Sequence, residues 1–539
     1  MKKQIKIIVC LLLTLSFVLG MATIAPVRMF DAGTYNKAAL FRIAGVDRFD
    51  TANKIAKAGW SSSHKVYLAS ADSYADALAG VPLAHIDNAP ILLVRGKSVP
   101  KSVMDTIYNL GATSVTILGG TAAVSQEIED ELEEKNFFVH RIAGKNRYDT
   151  AWQIAHIILL CSDLPLSEMF IVSGENYPDA LSIGPIAALK GAPIIYSNAK
   201  GAKGFNNIYA VSYGDGSYSY GSSLEDTDWI EHAINERGGT AIHLSDIVNK
   251  VTIIGGEAAV GKNAMDELNN SGFESIERIY GASRYETSLM VTERYSDVFE
   301  TKGLAFATGE NFPDALAGGV FAAKKSMPVI LLNPKTKASQ SSYIGINAMA
   351  YDSSRDYTEN LVGFINKFKP EEVYTFGGES VIPDSVICSY FEGDINSFQT
   401  LDCSVSLVDM YKGTDYSNVS FSIYNGTLTH CKRGEEDITI SDGEYRYFKV
   451  TNGTGELEIK VVPDENGACS VKLPKGEYTV IASCSNSYGG YLYVPENNKY
   501  YDSLYGHRYS WKWSSITNIE LSDEFINTID VTLGKVTPL

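Results

Sequence analysis

The stretch Arg141-Ile-Ala-Gly-Lys-Asn-Arg147-Tyr-Asp-Thr150 decides the fold, because close copies of it occur at 42–51 and 278–287. A second block, Asn176-Tyr-Pro-Asp179-Ala-Leu181, follows this stretch, and the two copies are followed by equivalents at 73–78 and 311–316. A third block ends each unit with a glycine pair, and its three occurrences lie at 117–120, 253–256 and 375–378. Three blocks that recur three times in one order indicate tandem structural repeats.

The distances between the blocks predict the domain boundaries. The first and third repeats are of similar length, and the second is longer because of an insertion near 200–245. We therefore predict repeats at 41–140, 141–277 and 278–390.

Each repeat alternates short apolar runs with helical patterns. In the first repeat, runs bounded by Gly, Pro or Ser predict strands buried in a parallel sheet at Val66–Ser70, Pro90–Val94 and Val115–Leu118. The segments around them have helical periodicity, at Thr51–Ala58, Ala77–Ala84, Val99–Leu110 and Ser125–Glu134. This alternation predicts the α/β class, with one Rossmann-like unit and one parallel sheet per repeat. Equivalent surfaces favour equivalent contacts, so we expect the three units to pack as a pseudo-threefold block.

After about residue 390 the helical pattern stops. Short, often alternating segments separated by turns follow, at Val405–Met410, Val419–Tyr424, Tyr445–Thr451, Gly455–Val462, Ser470–Leu473 and Tyr478–Ser483. Regularly spaced strands of this kind predict an all-β antiparallel sandwich at 391–539.

The N-terminus has the pattern of a secretory signal peptide. Lys2, Lys3 and Lys6 precede an apolar run from Ile7 to Leu19, and small residues follow. We predict a signal peptide at 1–22, a short linker at 23–40 and an exported chain with no membrane contact after cleavage. The alternative is an uncleaved membrane anchor, although the run is shorter than a span requires.

Charge and cysteine content exclude two classes of function. The 539 residues include 46 Lys plus Arg and 64 Asp plus Glu, which gives a net charge of −18 and argues against nucleic-acid binding. The cysteines contain no CxxC pair, so a zinc site is not expected. Disulfides among Cys403, Cys431, Cys469 and Cys484 and buried free thiols both remain open.

The three blocks resemble the cell wall binding repeat 2 family of clostridial-type surface proteins, which usually carries three tandem copies. The resemblance covers about 41–390 and implies noncovalent attachment to the wall through an anionic polymer, either teichoic-acid-like or a polysaccharide. Ser73 and Ala75 in the first repeat depart from the pattern of the second block. The stretch 464–480 is similar to the final hairpin of Cna-B or carboxypeptidase-regulatory β-sandwiches, and the partner of this domain is unknown.

The charged residues that recur in the blocks are the candidate polymer-binding residues, namely Arg48, Arg147, Arg284, Asp76, Asp179 and Asp314. One interpretation is structural, in which each Asp caps a helix and each Arg forms a bidentate pair with such a carboxylate, within a repeat or between neighbours. The other is functional, in which the three Arg side chains are local cationic sites for the anionic groups of a polymer.

The glycine pairs also permit two interpretations. They lie between a predicted strand and a predicted helix, at Gly119, Gly120, Gly255, Gly256, Gly377 and Gly378. Such a turn can hold an anion at a helix N-terminus, but no G-x-G-x-x-G and no P-loop accompanies them. Tight strand-to-helix turns explain them without a nucleotide.

Catalytic signatures are not found. The chain has no H-E-x-x-H and no G-x-S-x-G, so we expect no enzyme activity, no cofactor and no metal. The chain as given shows no L-P-x-T-G sorting motif, so we expect the repeats to provide attachment. The alternative is a wall-remodelling hydrolase or a modifier of an autolysin.

Overall fold

The structure is a computed structural model, and it describes residues 38–73, 75–162, 166–197, 209–212, 218–220, 240–338 and 354–391, residues 463 and 467, and the C-terminal strands given below. The predicted signal peptide at 1–22 and most of the linker at 23–40 lie outside the described residues. In the part of the chain that the structure describes, no helix combines the length and the apolar character that a bilayer-spanning segment needs.

The first repeat alternates strands and helices, close to the predicted positions. Its elements are β1 Ala39–Ile43, α1 Arg48–Gly59, β2 Lys65–Ser70, α2 Ala75–Leu78, α3 Val81–Ile86, β3 Ile91–Val94, α4 Lys101–Asn109, β4 Ser114–Leu118 and α5 Gln126–Glu134. The predicted helix Ala77–Ala84 is divided into α2 and α3. Gly80 separates them, and Pro82 is in the first turn of α3, where its missing N–H costs nothing.

The second repeat follows the same order and contains additional strands in its insertion. Its elements are β5 Phe138–Ile142, α6 Arg147–Cys161, β6 Met169–Ser173, α7 Pro178–Leu189, β7 Ile194–Ser197, β8 Tyr209–Ser212, β9 Tyr218–Tyr220, β10 Thr240–His243, a 3₁₀ turn Leu244–Asp246, β11 Val251–Ile254 and α8 Lys262–Asn270. Strands β8, β9 and β10 form a separate antiparallel sheet.

The third repeat returns to the shorter pattern. Its elements are β12 Ile276–Ile279, α9 Arg284–Arg294, a 3₁₀ turn Ser296–Val298, β13 Gly303–Thr308, α10 Pro313–Lys324, β14 Val329–Leu332, α11 Tyr357–Phe368, β15 Glu372–Phe376 and α12 Asp384–Ser389. The repeats thus form an α/β structure, as the sequence predicts.

The repeats build three four-stranded parallel arrays, in the orders β3-β2-β4-β5, β7-β6-β11-β12 and β14-β13-β15-β1. The last strand of each array ends with the Arg-Ile pair that begins the first block of the following repeat. The third array takes this strand from the beginning of the chain, with Ala39 opposite Glu372 and Ile43 opposite Phe376. Each array therefore combines three strands of one repeat with the first strand of the following repeat. This corrects the expectation that each repeat forms its own sheet.

Equivalent helices of the three repeats contact one another. Helices α3, α7 and α10 pack pairwise. A Cβ added to Gly184 of α7 would be 3.5 Å from the Val81 side chain of α3, and one added to Gly319 of α10 would be 3.7 Å from it. Val81, Gly184 and Gly319 occupy the same position in their repeats, three residues after the second block and five residues after its aspartate.

Every element described after Ser389 is a strand. These strands are β16 Phe398–Leu407, β17 Val419–Asn425, β18 His430–Arg433, β19 Glu436–Thr439, β20 Gly443–Arg446, β21 Glu458–Val461, β22 Ala468–Pro474, β23 Gly476–Tyr488, β24 Leu492–Val494, β25 Lys499–Tyr501, β26 Tyr509–Leu521 and β27 Thr528–Leu533.

The C-terminal strands belong to two larger sheets and two hairpins. Strands β20-β26-β23-β17-β21 form an antiparallel sheet, and β18-β19 and β24-β25 are hairpins. Strands β22, β16 and β27 extend the third parallel array beyond β1 into a seven-stranded sheet. The third repeat and the C-terminal region thus share one sheet, which the sequence does not predict.

Two of the cysteines considered for disulfides lie opposite each other on neighbouring strands. Cys403 of β16 faces Cys469 of β22 in the register, and the Cys403 thiol is not part of a disulfide. The side chains of Cys431 and Cys484 lie outside the description.

Candidate inter-repeat site

The recurrent Asp and Arg side chains lie close enough to interact electrostatically at three junctions between repeats. The charge of each Arg lowers the pKa of an Asp in the preceding repeat, and the third repeat is followed by the first. The three junctions are Asp76 with Arg147, Asp179 with Arg284, and Asp314 with Arg48. The interaction with the recurrent Asp therefore runs between neighbours, while Arg48 also lies 4.0 Å from a carboxylate oxygen of Asp72 in its own repeat.

Each Arg is the first residue of a helix and is oriented by the backbone of its own repeat. The Nη1 atoms of Arg48, Arg147 and Arg284 donate to the carbonyls of Ala71, Gly174 and Gly309, at 2.7, 2.7 and 2.5 Å. These carbonyls follow the ends of β2, β6 and β13. Each guanidinium is thereby held at the carboxyl end of a central strand.

The other polar residues of the first block form the turn that precedes these helices. The N-caps are Asp47, Asn146 and Ser283, and their side chains accept hydrogen bonds from N–H groups of the first helical turn. The threonine at the end of the block accepts a hydrogen bond from the glycine N–H, as Thr150 does from Gly144 at 3.0 Å. Recurrence of these polar positions is explained by local structure.

Asp179 and Asp314 are not helix caps, so the capping interpretation is wrong for these two residues. Asp179 and Asp314 are the second residues of α7 and α10, whose N-cap residues Tyr177 and Phe312 make no side-chain capping bond. The preceding proline, Pro178 or Pro313, is in the first turn, since its fixed φ suits that position. The helix therefore begins one residue before the aspartate.

Each carboxylate lies against the first glycine of the glycine pair in its own repeat. A Cβ on Gly255 or Gly377 would be 2.5 Å from Oδ2 of Asp179 or Asp314, and one on Gly119 would be 2.8 Å from Oδ2 of Asp76. These glycines also have φ between 100° and 109°. Both the carboxylate and the backbone conformation exclude a side chain there.

Burial disfavours the ionised form of these carboxyl groups and so raises their pKa values. It raises the pKa of Asp179 and that of Asp314 to about 6, although Arg284 and Arg48 act in the opposite direction. Burial also raises the pKa of Asp76, against a hydrogen bond from Thr150 and the charge of Arg147. Each junction therefore combines an arginine, which stays charged, with an aspartate whose pKa is raised.

The Arg side chains remain accessible to solvent. Arg284 is exposed and Arg147 is half-buried, and the Arg48 side chain retains 39% of its accessible surface. At the second junction the Tyr177 ring lies 5.7 Å from the Arg284 guanidinium, and its hydroxyl donates to the Gly309 carbonyl at 3.3 Å. The corresponding residue of the first repeat, 74, is outside the described residues.

A second set of arginines, which the sequence analysis did not single out, holds the strands together. Arg141 of β5 donates to the carbonyls of Gly119 and Val124 at 2.8 and 2.9 Å, and its Nε donates to Glu129 at 2.8 Å. Arg278 binds the equivalent carbonyls of Gly255 and Val260, and Arg42 binds those of Gly377 and Ile382. The signal was present, because this Arg opens every copy of the first block.

Metal binding has no support among the described residues, where no group of three or more His, Cys, Asp and Glu side chains is placed to hold an ion.

A family model described as cell wall binding domain 2 matches residues 42–129, 141–265 and 278–387, which is more than half of the chain. The chain belongs to the cell wall binding domain 2 family. The matched segments confirm the resemblance drawn from the three blocks. Cell wall binding domain 2 units bind cell wall polymers, so the chain is a surface protein of the cell wall.

Two relatives from Bacillus subtilis contain similar segments. N-acetylmuramoyl-L-alanine amidase LytC is 27% identical over 321 residues, covering 60% of this chain and 54% of the relative. The protein called amidase enhancer is 24% identical over 310 residues, covering 58% of this chain and 37% of the relative. The match therefore spans about half or less of these relatives.

A solved structure shares the fold of the cell wall binding domain 2 repeats. Cwp6 from Clostridium difficile superposes with a TM-score of 0.50 at 24% sequence identity, covering 66% of this chain and 48% of Cwp6. At this identity the likeness concerns the fold alone.

A prediction about pH follows from the buried carboxyl of Asp179. Its pKa is about 6 in the folded state and 3.8 in the reference state, so the folded protein binds more protons between these values and loses stability as pH rises through that window. Asp179→Asn removes this ionisation. We expect the variant to be more stable than the parent by on the order of 2 kcal/mol at pH 8 and equally stable at pH 3.5.

The measurement is urea unfolding of both proteins from pH 3.5 to 8. Asp266→Asn, on an exposed face of α8, is the control and should give no such trend. A stability difference that does not change with pH would contradict the prediction.

Proposed function

We propose that the protein is exported and held noncovalently on a Gram-positive cell wall by three repeats that bind an anionic wall polymer. The observation that carries this proposal is the accessible Arg at each of the three junctions, at the same position relative to a central strand. A chain with net charge −18 repels an anionic polymer, so binding requires local cationic sites.

The contacts of the two sets of arginines favour the functional interpretation. The structural link between repeats is provided by the other arginines, Arg42, Arg141 and Arg278, through the carbonyls of the glycine turns. Arg48, Arg147 and Arg284 keep part of their surface accessible, so a ligand can reach them.

We infer that the three units are related by an approximate threefold axis. The pairwise contacts of α3, α7 and α10 support this inference, as does the meeting of Val81, Gly184 and Gly319 at equivalent positions. The cyclic order of the Asp–Arg junctions supports it as well. Three equivalent sites on one rigid block would bind a repetitive polymer with avidity.

We propose further that the chain is not itself an enzyme and that its C-terminal region, 391–539, is a β-sandwich acting as a spacer or adhesive module. The alternative is a wall-remodelling hydrolase or a modifier of an autolysin, and the names of the two B. subtilis relatives fit that alternative. Their similarity to this chain is in the wall-binding segments. A zymogram on purified walls separates the two proposals, since a lytic band would support the alternative.

The anionic polymer is tested with isolated walls before and after hydrofluoric acid removes phosphodiester-linked polymer. We expect the chain without its predicted signal peptide to bind intact walls and to lose affinity for stripped walls by about tenfold or more. Retention on stripped walls would identify peptidoglycan as the receptor. Residues 391–539 alone serve as the control and should bind neither preparation.

A further inference from the structure

The edge of the third parallel array differs from the equivalent edges of the other two. Strands β5 and β12 end the first and second arrays, and β1 holds the same position in the third. In the described part of the chain, β1 alone among these three has a further neighbour, the antiparallel strand β22, with Leu40 opposite Lys472. The C-terminal region therefore pairs with one of three similar sheet edges.

Backbone pairing does not explain this selection. An exposed edge presents N–H and C=O groups whatever its sequence, so strand addition needs side chains to distinguish one edge from another. Charged contacts that lose water on docking provide such discrimination.

A partly buried ion cluster lies at the β1–β22 contact. The Nζ of Lys472 contacts Oδ2 of Asp384, and the other carboxylate oxygen accepts from Nε of Arg42 at 3.2 Å. The side chains of Asp384, Arg42 and Lys472 retain 16%, 21% and 28% of their accessible surface. Burial alone would raise the pKa of Asp384, but the bonds from Lys472 and Arg42 outweigh it and hold that pKa below its usual value.

The three repeats differ at the position of this aspartate. Asp384 lies seven residues after Gly377, and the residues seven after Gly119 and Gly255 are Gln126 and Lys262. All three are the first residues of their helices, α12, α5 and α8. At the first edge the equivalent position is an uncharged amide, and the carboxylate bound by the equivalent arginine, Arg141, is Glu129, three residues further along α5. At the second edge the equivalent position carries a like charge.

We propose that Asp384 is the specificity residue that directs the C-terminal region to the third sheet, where β22 docks it as a rigid extension of the wall anchor. Arg42 positions this carboxylate while also binding the carbonyls of Gly377 and Ile382. The docked strand thus joins the anchor at the point where β1 closes the third array.

The test uses the full chain without its predicted signal peptide and compares Lys472→Glu and Asp384→Gln with the parent. Asp384→Gln installs the residue of the first repeat. We expect both variants to undock β22, which would raise amide hydrogen exchange in β1 and β22 by about tenfold or more. Exchange in β13 and β14 should not change, and the maximum dimension from X-ray scattering should increase.

Two control variants accompany the test. Lys472→Arg keeps the charge and should remain docked. Lys101→Glu replaces an exposed lysine paired with Asp105 on the first repeat and should leave β22 protected.

Any other result either contradicts the proposal or shows that a variant has unfolded. Parent-like exchange in both variants would overturn it, as would undocking by Lys472→Glu together with parent-like exchange in Asp384→Gln. If Lys472→Glu raises exchange in β13 and β14 as well, the third array has unfolded. In that case exchange in the Asp384→Gln variant, which introduces no repulsion between like charges, is the measurement that tests the proposal.

Discussion

Wall affinity is expected to fall about 100-fold when Arg48, Arg147 and Arg284 are replaced together by alanine. Each partly exposed, charge-assisted contact contributes about 1 kcal/mol, so three of them contribute about 3 kcal/mol, and every 1.4 kcal/mol corresponds to about a tenfold change in affinity. The salt dependence of binding should weaken in parallel, because exposed ionic contacts are screened. The measurement is a binding isotherm on isolated walls at several salt concentrations.

The stability of the alanine variants shows whether the three arginines contact the ligand or support the fold. These arginine side chains are partly or fully exposed, so we expect a loss below about 1 kcal/mol per substitution. The matched control replaces the same three residues by lysine, which keeps the charge and should retain much of the affinity. A collapse of the melting transition, with binding lost only as folding fails, would show that these arginines are structural.

Arg141→Ala is expected to destabilise the protein far more than any single change at the junctions. Its guanidinium binds two carbonyls and Glu129, and the Arg141 and Glu129 side chains retain only 13% and 16% of their accessible surface. Removing one partner of a largely buried pair leaves the other charge unpaired, so we expect a cost of about 3 kcal/mol. Urea unfolding followed by circular dichroism measures it.

Arg95→Ala is the matched control for this prediction. Arg95 also pairs with a carboxylate, Asp72, but both side chains are about half exposed, and removing an exposed pair costs less than about 1 kcal/mol. Equal effects of the two substitutions would mean that burial of the Arg141 pair contributes little. Wall binding by folded Arg141→Ala protein should be close to that of the parent.

Element positions within the repeats were predictable because hydrophobic period and turn residues are local signals. The predicted strands Val66–Ser70 and Val115–Leu118 agree with the observed Lys65–Ser70 and Ser114–Leu118. The division of one predicted helix at Gly80 shows the limit of this reasoning, since a helical period continues across a short break.

Partners of strands were not predictable from the same signals. An apolar run indicates a buried strand but not which neighbour it pairs with, so nothing local places β1 beside β15 or β22 beside β1. The recurrent Arg of β1, β5 and β12 contained this information only indirectly, through side-chain bonds to the glycine turn of the preceding array.

The sequence predicted which residues form the candidate site, but it did not predict how they are arranged. Recurrence identified Arg284 and Asp179, and the choice between pairing within a repeat and pairing between neighbours required the structure. The expected cap at Asp179 failed because Pro178 occupies the first helical turn, a position that the sequence block already contained. Raised pKa values depend on burial by residues distant in sequence and were not foreseeable.

The position of β1 has a consequence for how the chain reaches its native state. Arg42 and the carbonyl of Gly377 are separated by 335 residues, so the strand that is synthesised first belongs to the parallel array that is completed last. Closing so long a loop is entropically costly and slow compared with the local pairing of β2, β3 and β4. The first two arrays can assemble while the chain is still emerging, whereas the third must wait with an unpaired β15 edge until the beginning of the chain returns to it.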